Sequence, residues 1–145
     1  MKKIAIIGAG MAGISAALKL QDKAQITIFD KSRGIGGRMA TRRTEKYNFD
    51  HGAQFFTAKS EEFQGLCRQA QKDGVIDLWN ADFVEITTGE VTNSRKFSAE
   101  YPHYVGTPQM NSLCKYLAQG FDINLEQKIT RIDFKDRKWT LQNDQ

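Results

Sequence analysis

Lys2-Lys3-Ile4-Ala5-Ile6-Ile7-Gly8-Ala9-Gly10-Met11-Ala12-Gly13 opens the chain, an apolar strand-like run that breaks directly into Gly-x-Gly-x-x-Gly. Each glycine has its own reason. Gly8 permits the tight turn, Gly10 lets backbone N–H groups approach a pyrophosphate, and Gly13 lets the following helix lie close on its strand. The helix N-terminus adds the positive end of its dipole. Such a hexad is informative only between a strand and a helix, and here Ile14-Ser15-Ala16-Ala17-Leu18-Lys19-Leu20 is small, apolar and helix-forming. A second strand, Gln25-Ile26-Thr27-Ile28-Phe29, ends at Asp30, 22 residues after Gly8 and 17 after Gly13. That brackets the ~20-residue spacing of an acid that accepts ribose hydroxyls. Asp30 would repel a 2′-phosphate, while Lys31 and Arg33 leave that choice open.

Two lysines ahead of an apolar stretch also fit a secretory leader. Three glycines interrupt the run, and the strand-and-acid pattern continues unbroken, so cytoplasmic residence is expected. The 145 residues are 40% hydrophobic and 26% charged, enough for a core and unlike a disordered chain. No run approaches the ~18 consecutive apolar residues of a membrane span, and no membrane partner is expected. Cys67 and Cys114 fall on apolar helix faces, which favours buried thiols over a disulfide. No CxxC or HExxH occurs and the only histidines are His51 and His103, so no metal site is expected.

The net charge of +4 is concentrated. Lys31, Arg33, Arg38, Arg42, Arg43 and Lys46 against Glu45 give residues 31–46 a local +5, leaving −1 for the remainder. With Gly34, Gly36 and Gly37 in the same stretch and no aromatic ladder or recognition helix beside it, a phosphate-binding loop is expected rather than a nucleic-acid surface. Residues 31–48 show no apolar period and are read as a long functional loop.

Further along, Ser60 can cap a helix with Glu61 and Glu62 in its first turn, Phe63, Leu66, Cys67 and Ala70 on one face, and Gly74 past its end. Residues 81–97 read as a hairpin turning at Thr88-Gly89-Glu90, at the edge of a second domain. Tyr101 to Gly106 reads as a linker. Thr107 and Pro108 read as the start of a helix carrying Met110, Leu113, Cys114 and Leu117 on its apolar face and ending before Gly120. Three short strands follow, around Ile123–Leu125, Lys128–Phe134 and Lys138–Leu141. Asn143-Asp144 is turn chemistry that anticipates a returning strand, so the chain is expected to be part of a longer polypeptide.

Read together, three blocks resemble the flavin amine oxidase superfamily, and within it the renalase-like bacterial branch. They are the glycine hexad with Asp30, the segment Asp30-Lys31-Ser32-Arg33-Gly34-Ile35-Gly36-Gly37-Arg38-Met39-Ala40-Thr41-Arg42, and Asp50-His51-Gly52-Ala53-Gln54-Phe55-Phe56. Weaker support comes from Tyr104–Asn111 and from Ile129 and Ile132. The resemblance implies an α/β fold, a Rossmann-like FAD-binding domain with part of a β-rich substrate domain. Residues 1–57 would be the first segment of the FAD domain, 58–104 the start of the substrate side, and 105–145 the returning segment.

By the same resemblance, FAD would be held by Gly8, Ala9, Gly10, Met11, Ala12 and Gly13 with Asp30 and Lys31. The second loop would add Arg33, Gly36, Gly37, Arg38, Met39, Ala40, Thr41 and Arg42. Gly52, Ala53, Gln54 and Phe55 would lie near the isoalloxazine and Ile129 near the adenine end. Bidentate guanidinium contacts suit phosphate oxygens. The family implies hydride transfer from a small substrate to FAD with oxygen as acceptor; the branch implies a misreduced dihydronicotinamide dinucleotide, with amines as the other class. No catalytic side chain is named, since in flavin enzymes the cofactor carries the redox chemistry. A nicotinamide-dependent Rossmann reductase and a non-catalytic nucleotide-binding module are the alternatives.

Overall fold

The computed structural model describes residues 1–96, 100 and 102–144. β1 (Lys2–Ile7) leads into α1 (Met11–Leu20) and β2 (Ala24–Phe29), the βαβ unit expected from the opening sequence. β1 and β2 pair in parallel, from Lys2 opposite Ala24 to Ile7 opposite Phe29. Ala24, Ile26 and Ile28 point to one face of β2 and are buried, packing with Ala9 and Ala17 and with the partly buried Ile4 and Ile6. Gln25 and Thr27 alternate onto the other face, the period-2 pattern of a strand whose two faces meet different surroundings.

The segment 31–48 is less irregular than its sequence suggests. A 3-10 turn at Gly37–Met39 is followed by β3 (Thr41–Arg43) and β4 (Asn48–Asp50), a short antiparallel hairpin with Thr41 opposite Asp50. Three-residue strands are too short to show an apolar period, and both are mostly exposed. β5 (Phe56–Thr57) precedes α2 (Glu61–Lys72), where the Ser60 hydroxyl accepts the Phe63 N–H at 3.3 Å as expected of a cap. Gly74 takes φ +70° beyond the helix end.

β6 (Ile76–Leu78) follows, then the hairpin of β7 (Asp82–Thr87) and β8 (Glu90–Lys96). The hairpin turns at Thr88 and Gly89 as expected, both with positive φ. Its expected last residue, Phe97, lies outside the described residues. The expected linker is a strand instead: β9 (His103–Gly106) is the centre of the sheet β5-β9-β6, while Tyr101 lies outside the described residues. Its ladder partners are remote in sequence, which hides it from local pattern.

The helix expected from Thr107 begins later, as α3 (Ser112–Leu117) with Asn111 at its cap. Gly106 explains the delay. A Cβ there would overlap the Gln109 carbonyl oxygen, so the chain doubles back tightly over 106–110 before the helix starts, and the Thr107 hydroxyl donates to the Gly74 carbonyl at 2.7 Å. The expected apolar face nevertheless forms, since Met110, Leu113, Cys114 and Leu117 are all buried.

β10 (Asp122–Asn124) returns to pair in parallel with β2, giving the order β1-β2-β10, and β11 (Ile129–Lys135) with β12 (Lys138–Asn143) forms a final antiparallel hairpin. Asn143 is still in that strand, and Gln145 lies outside the described residues. The larger core joins Ile14 of α1 with Met39, Cys67 and Ala70 of α2, Ile76, Tyr104, and Met110, Leu113 and Cys114 at α3. The first glycine turn, the second loop and α2 are thereby fixed to one another. No helix among the described residues is long and apolar enough to cross a membrane.

Candidate functional site

The geometry starts from the turn between β1 and α1. Gly8 takes φ +109°, open to glycine alone at no steric cost, and the Gly8 N–H donates to the Phe29 carbonyl at 2.7 Å. A Cβ at Gly13 would overlap the Gly8 carbonyl oxygen and come within 3.3 Å of the Ile6 side chain. The absence of a side chain there lets α1 lie against its own strand. Gly10 caps α1 without a side-chain hydrogen bond, and no acid stands in the first turn. The first-turn amides and the dipole end therefore remain available to an anion.

Asp30 ties this turn to the second loop. Its Oδ2 accepts the Ala9 N–H and its Oδ1 accepts the Ser32 N–H, both at 2.7 Å. Each oxygen keeps further acceptor capacity for a hydroxyl donor. The tail passes alongside: the Asp30 N–H donates to the Asn124 carbonyl and the Gln127 N–H donates to the Asp30 carbonyl, both at 2.9 Å. Ile129 begins β11 two residues later. Lys31 is exposed just past the acid.

The second loop then folds against the first. The Gly36 N–H donates to the Ala9 carbonyl at 2.9 Å, and Gly10 and Gly36 form an isolated parallel bridge. Gly37, at φ +55°, sits so close that a Cβ on it would stand 3.2 Å from the Gly10 Cα. The 3-10 turn is anchored from beneath by buried Met39, whose Sδ accepts from the Cys114 thiol at 3.9 Å. Burial pushes the Cys114 thiol up to about 11, which suits a packing group rather than a nucleophile.

The third block closes the same groove. The Ala53 N–H donates to the Arg38 carbonyl at 2.8 Å, and a Cβ at Gly52 would overlap that carbonyl. Gly10, Met11, Ala12, Gly36, Gly37, Arg38, Met39, Gly52 and Ala53 thus line one groove of about 660 Å³. Residues from three separate stretches meet there.

Other expected residues lie elsewhere. Arg33, Ala40, Thr41 and Arg42 line a second groove of about 800 Å³ that shares no residue with the first. Gln54 is exposed, while the Phe55 ring packs 4.6 Å from His103 and 5.4 Å from Trp79. Asp50 and Asn111 have positional roles that sequence reasoning did not assign. Asp50 Oδ1 accepts from the Thr41 hydroxyl and, at 3.2 Å, from the Met110 N–H, joining the β3–β4 hairpin to the start of α3. Asn111 is buried under Gly36, where a Cβ would approach the Asn111 Cβ to 3.0 Å. An asparagine in a turn gives no sequence signal of burial. No group of three or more potential metal ligands occurs among the described residues.

The βαβ unit, the glycine turn and the acid after β2 define a Rossmann-like dinucleotide-binding domain. Residues 6–70 match the family profile described as the NAD(P)-binding Rossmann-like domain. Among curated proteins, the chain is 44% identical over 112 residues to a 4,4'-diapophytoene desaturase (4,4'-diaponeurosporene-forming) of Staphylococcus haemolyticus, covering 68% of this chain and 22% of that protein. It is 43% identical over 58 residues to a 1-hydroxycarotenoid 3,4-desaturase of a Flavobacterium species, covering 39% of this chain and 12% of the relative. The chain thus spans a small part of the length of these relatives. Among solved structures, a provisionally named protoporphyrinogen oxidase from Exiguobacterium sp. 255-15 superposes with a TM-score of 0.71 at 12% identity, over 99% of this chain and 56% of that one. The 2,6-dihydroxypyridine-3-hydroxylase of Arthrobacter nicotinovorans superposes with a TM-score of 0.62 at 15% identity, over 99% of this chain and 33% of that one. These superpositions establish the fold.

Proposed function

We propose that this chain is the nucleotide-binding part of an FAD-dependent oxidoreductase, with residues 58–104 beginning its substrate side. One observation carries the reading: two glycine turns, one at a helix N-terminus and one beside Arg38, touch at Gly10 and Gly37 and line a common groove. Two anion-binding devices on one groove suit an elongated dinucleotide. The fit is also steric, since Gly10, Gly37 and Gly52 bring bare backbone to the groove. The similarity to carotenoid-type desaturases supports redox chemistry.

Met11, Ala12 and Gly13 at the start of α1 would hold the pyrophosphate with Gly8, Ala9 and Gly10 behind them, and the Arg38 guanidinium would add paired donors. Asp30 would accept ribose hydroxyls on the lone pairs its two amide bonds leave free, with Lys31 and Ile129 at the adenosine end. Gly52 and Ala53 would leave room for the ring, with Gln54 and Phe55 flanking it. FAD, when bound, supplies a ring that accepts hydride. The chain's own part is to bind, orient and shape the groove.

The substrate we propose is a small reduced molecule, a misreduced dihydronicotinamide dinucleotide on the renalase-like reading, with oxygen as final acceptor. Its motivation is the three sequence blocks. Dehydrogenation of an apolar polyene is the second reading, favoured by the identity to carotenoid-type desaturases. Purified protein incubated with FAD is expected to show flavin absorbance, with Arg38→Ala weakening FAD binding about 10-fold or more and the exposed Lys46→Ala within about 2-fold. Equal losses would remove the phosphate role of Arg38. No flavin absorbance, together with a melting temperature raised by NAD but not FAD, would replace the proposal with a nicotinamide-dependent reductase. Anaerobic bleaching by isomeric dihydronicotinamides but not by a diapophytoene would separate the two substrate readings.

A further inference from the structure

We propose that Asp50 is a positioning residue for the cofactor groove: one carboxylate oxygen, shared between the Thr41 hydroxyl and the Met110 N–H, holds the Gly52–Ala53 wall where the flavin ring would lie. The inference rests on the FAD reading above for what fills the groove, not for how its wall is held. Asp50 ends β4, two residues before Gly52. Thr41 opens β3, two residues past the 3-10 turn, and faces Asp50 across the hairpin. The main-chain ladder already pairs these two residues, so the hairpin does not need the carboxylate for its register. What the carboxylate adds is the bond to Met110, 60 residues away.

Met110 gives that bond a rigid anchor. It is 1% exposed and belongs to the larger core, whereas Asp50 itself is exposed. An exposed carboxylate is ordinarily left to water. Here its Oδ1 takes two donors, one from a strand side chain and one from the backbone ahead of α3. The next residue, Asn111, lies buried under Gly36 of the second loop, where a Cβ would approach the Asn111 Cβ to 3.0 Å. The backbone at 110–111 therefore bears on the second loop by packing and on the third block by the bond to Asp50, and both of those segments line the groove. Their spacing is tight. A Cβ at Gly52 would overlap the Arg38 carbonyl, which accepts the Ala53 N–H at 2.8 Å. Freed from Met110, the end of β4 would carry Gly52 and Ala53 off that carbonyl, and the wall offered to the ring would lose its fixed position.

Hydrogen exchange of the Ala53 amide in FAD-free protein reads the wall directly. Asp50→Ala is expected to speed it about 10-fold, the scale of one charge-assisted hydrogen bond. Asp50→Asn keeps an oxygen that accepts both donors and is expected to stay within about 3-fold of the unsubstituted protein. Tyr116→Phe removes the hydroxyl bond to Asp73 that ties α3 to α2 away from this groove, and is expected to leave Ala53 exchange within about 2-fold. With ligands, Asp50→Ala is expected to weaken FAD binding about 10-fold and binding of ADP, which lacks the ring, by no more than about 2-fold. Unchanged Ala53 exchange in Asp50→Ala, equal acceleration in Tyr116→Phe, no rescue by Asp50→Asn, or equal losses of FAD and ADP would each overturn the proposal. If Asp50→Ala does not fold, Thr41→Val deletes one of the two donors and is expected to speed Ala53 exchange about 3-fold. No change in that variant would overturn the proposal as well. Protein that takes up no FAD would sink the functional reading, while the exchange measurements would still decide whether Asp50 holds the wall.

Discussion

Gly52 carries as much of the first groove as the motif glycines do. A methyl group there overlaps the Arg38 carbonyl, which itself accepts the Ala53 N–H, so the 3-10 turn and the third block must separate. Gly52→Ala is expected to destabilise the fold by about 1–3 kcal/mol, the scale of overpacking, and to weaken FAD binding. Gly34→Ala meets nothing within 4 Å and is expected to stay within about 0.5 kcal/mol in a denaturant titration. Similar losses at both positions would show that loop entropy, not the close approach to Arg38, sets the requirement. Asp30 was legible as an acid at the right spacing. That its carboxylate also clamps Ala9 and Ser32 was not, because those bonds depend on how the two loops fold back on β2.

Among the elements, α2 followed its sequence almost residue for residue, because its cap, acidic first turn and apolar face are all local. Ser60→Ala is expected to cost about 1 kcal/mol, read as a shift in denaturant midpoint with unchanged slope. A neutral result would mean that packing of Cys67 and Ala70 alone sets the start of the helix. At the other end, the Tyr116 hydroxyl donates to Asp73 at 2.6 Å, linking α3 to α2. That bond holds the Asp73 carboxyl below its ordinary value and pushes the Tyr116 hydroxyl up. By contrast the sequence of β9 looks like a linker, and α3 starts at Ser112 rather than at Thr107. The strand is defined by partners about 30 and 50 residues away, and the helix start by a backbone fold at Gly106.

At the scale of the whole molecule, one core spans the two glycine loops, α2 and α3, and its thiols report on it. Cys67 and Cys114 are fully buried, and burial pushes both up from 9.0 to about 11. An unfolded chain ionises these thiols first, so the stability they contribute is intact below pH 9 and is lost as pH rises from 9 toward 11. Thermal melts across that range are expected to fall, and less steeply in Cys67→Ala/Cys114→Ala once its lower starting stability is subtracted. An identical slope in the variant would assign the fall to other groups. The outer face of the nucleotide-binding sheet is a different matter. There β11 and β12 leave Ile132 and Trp139 50% and 69% exposed beside a cleft of about 1030 Å³. The sequence of the hairpin showed its strands but not how loosely they would lie on the sheet.

The sequence alone settles what short-range chemistry specifies: the glycine turn, the acid after the second strand, the capped helix and the hairpin at Thr88. Each is encoded within a few residues by steric freedom, capping and side-chain period. Tertiary structure alone decided that Gly37 would meet Gly10, that Arg38 and Arg42 would face different grooves, and that Asn111 would be buried between loop and helix. Those outcomes depend on long-range closure of the chain on a shared core, where the position of one backbone turn sets the direction of every side chain that follows.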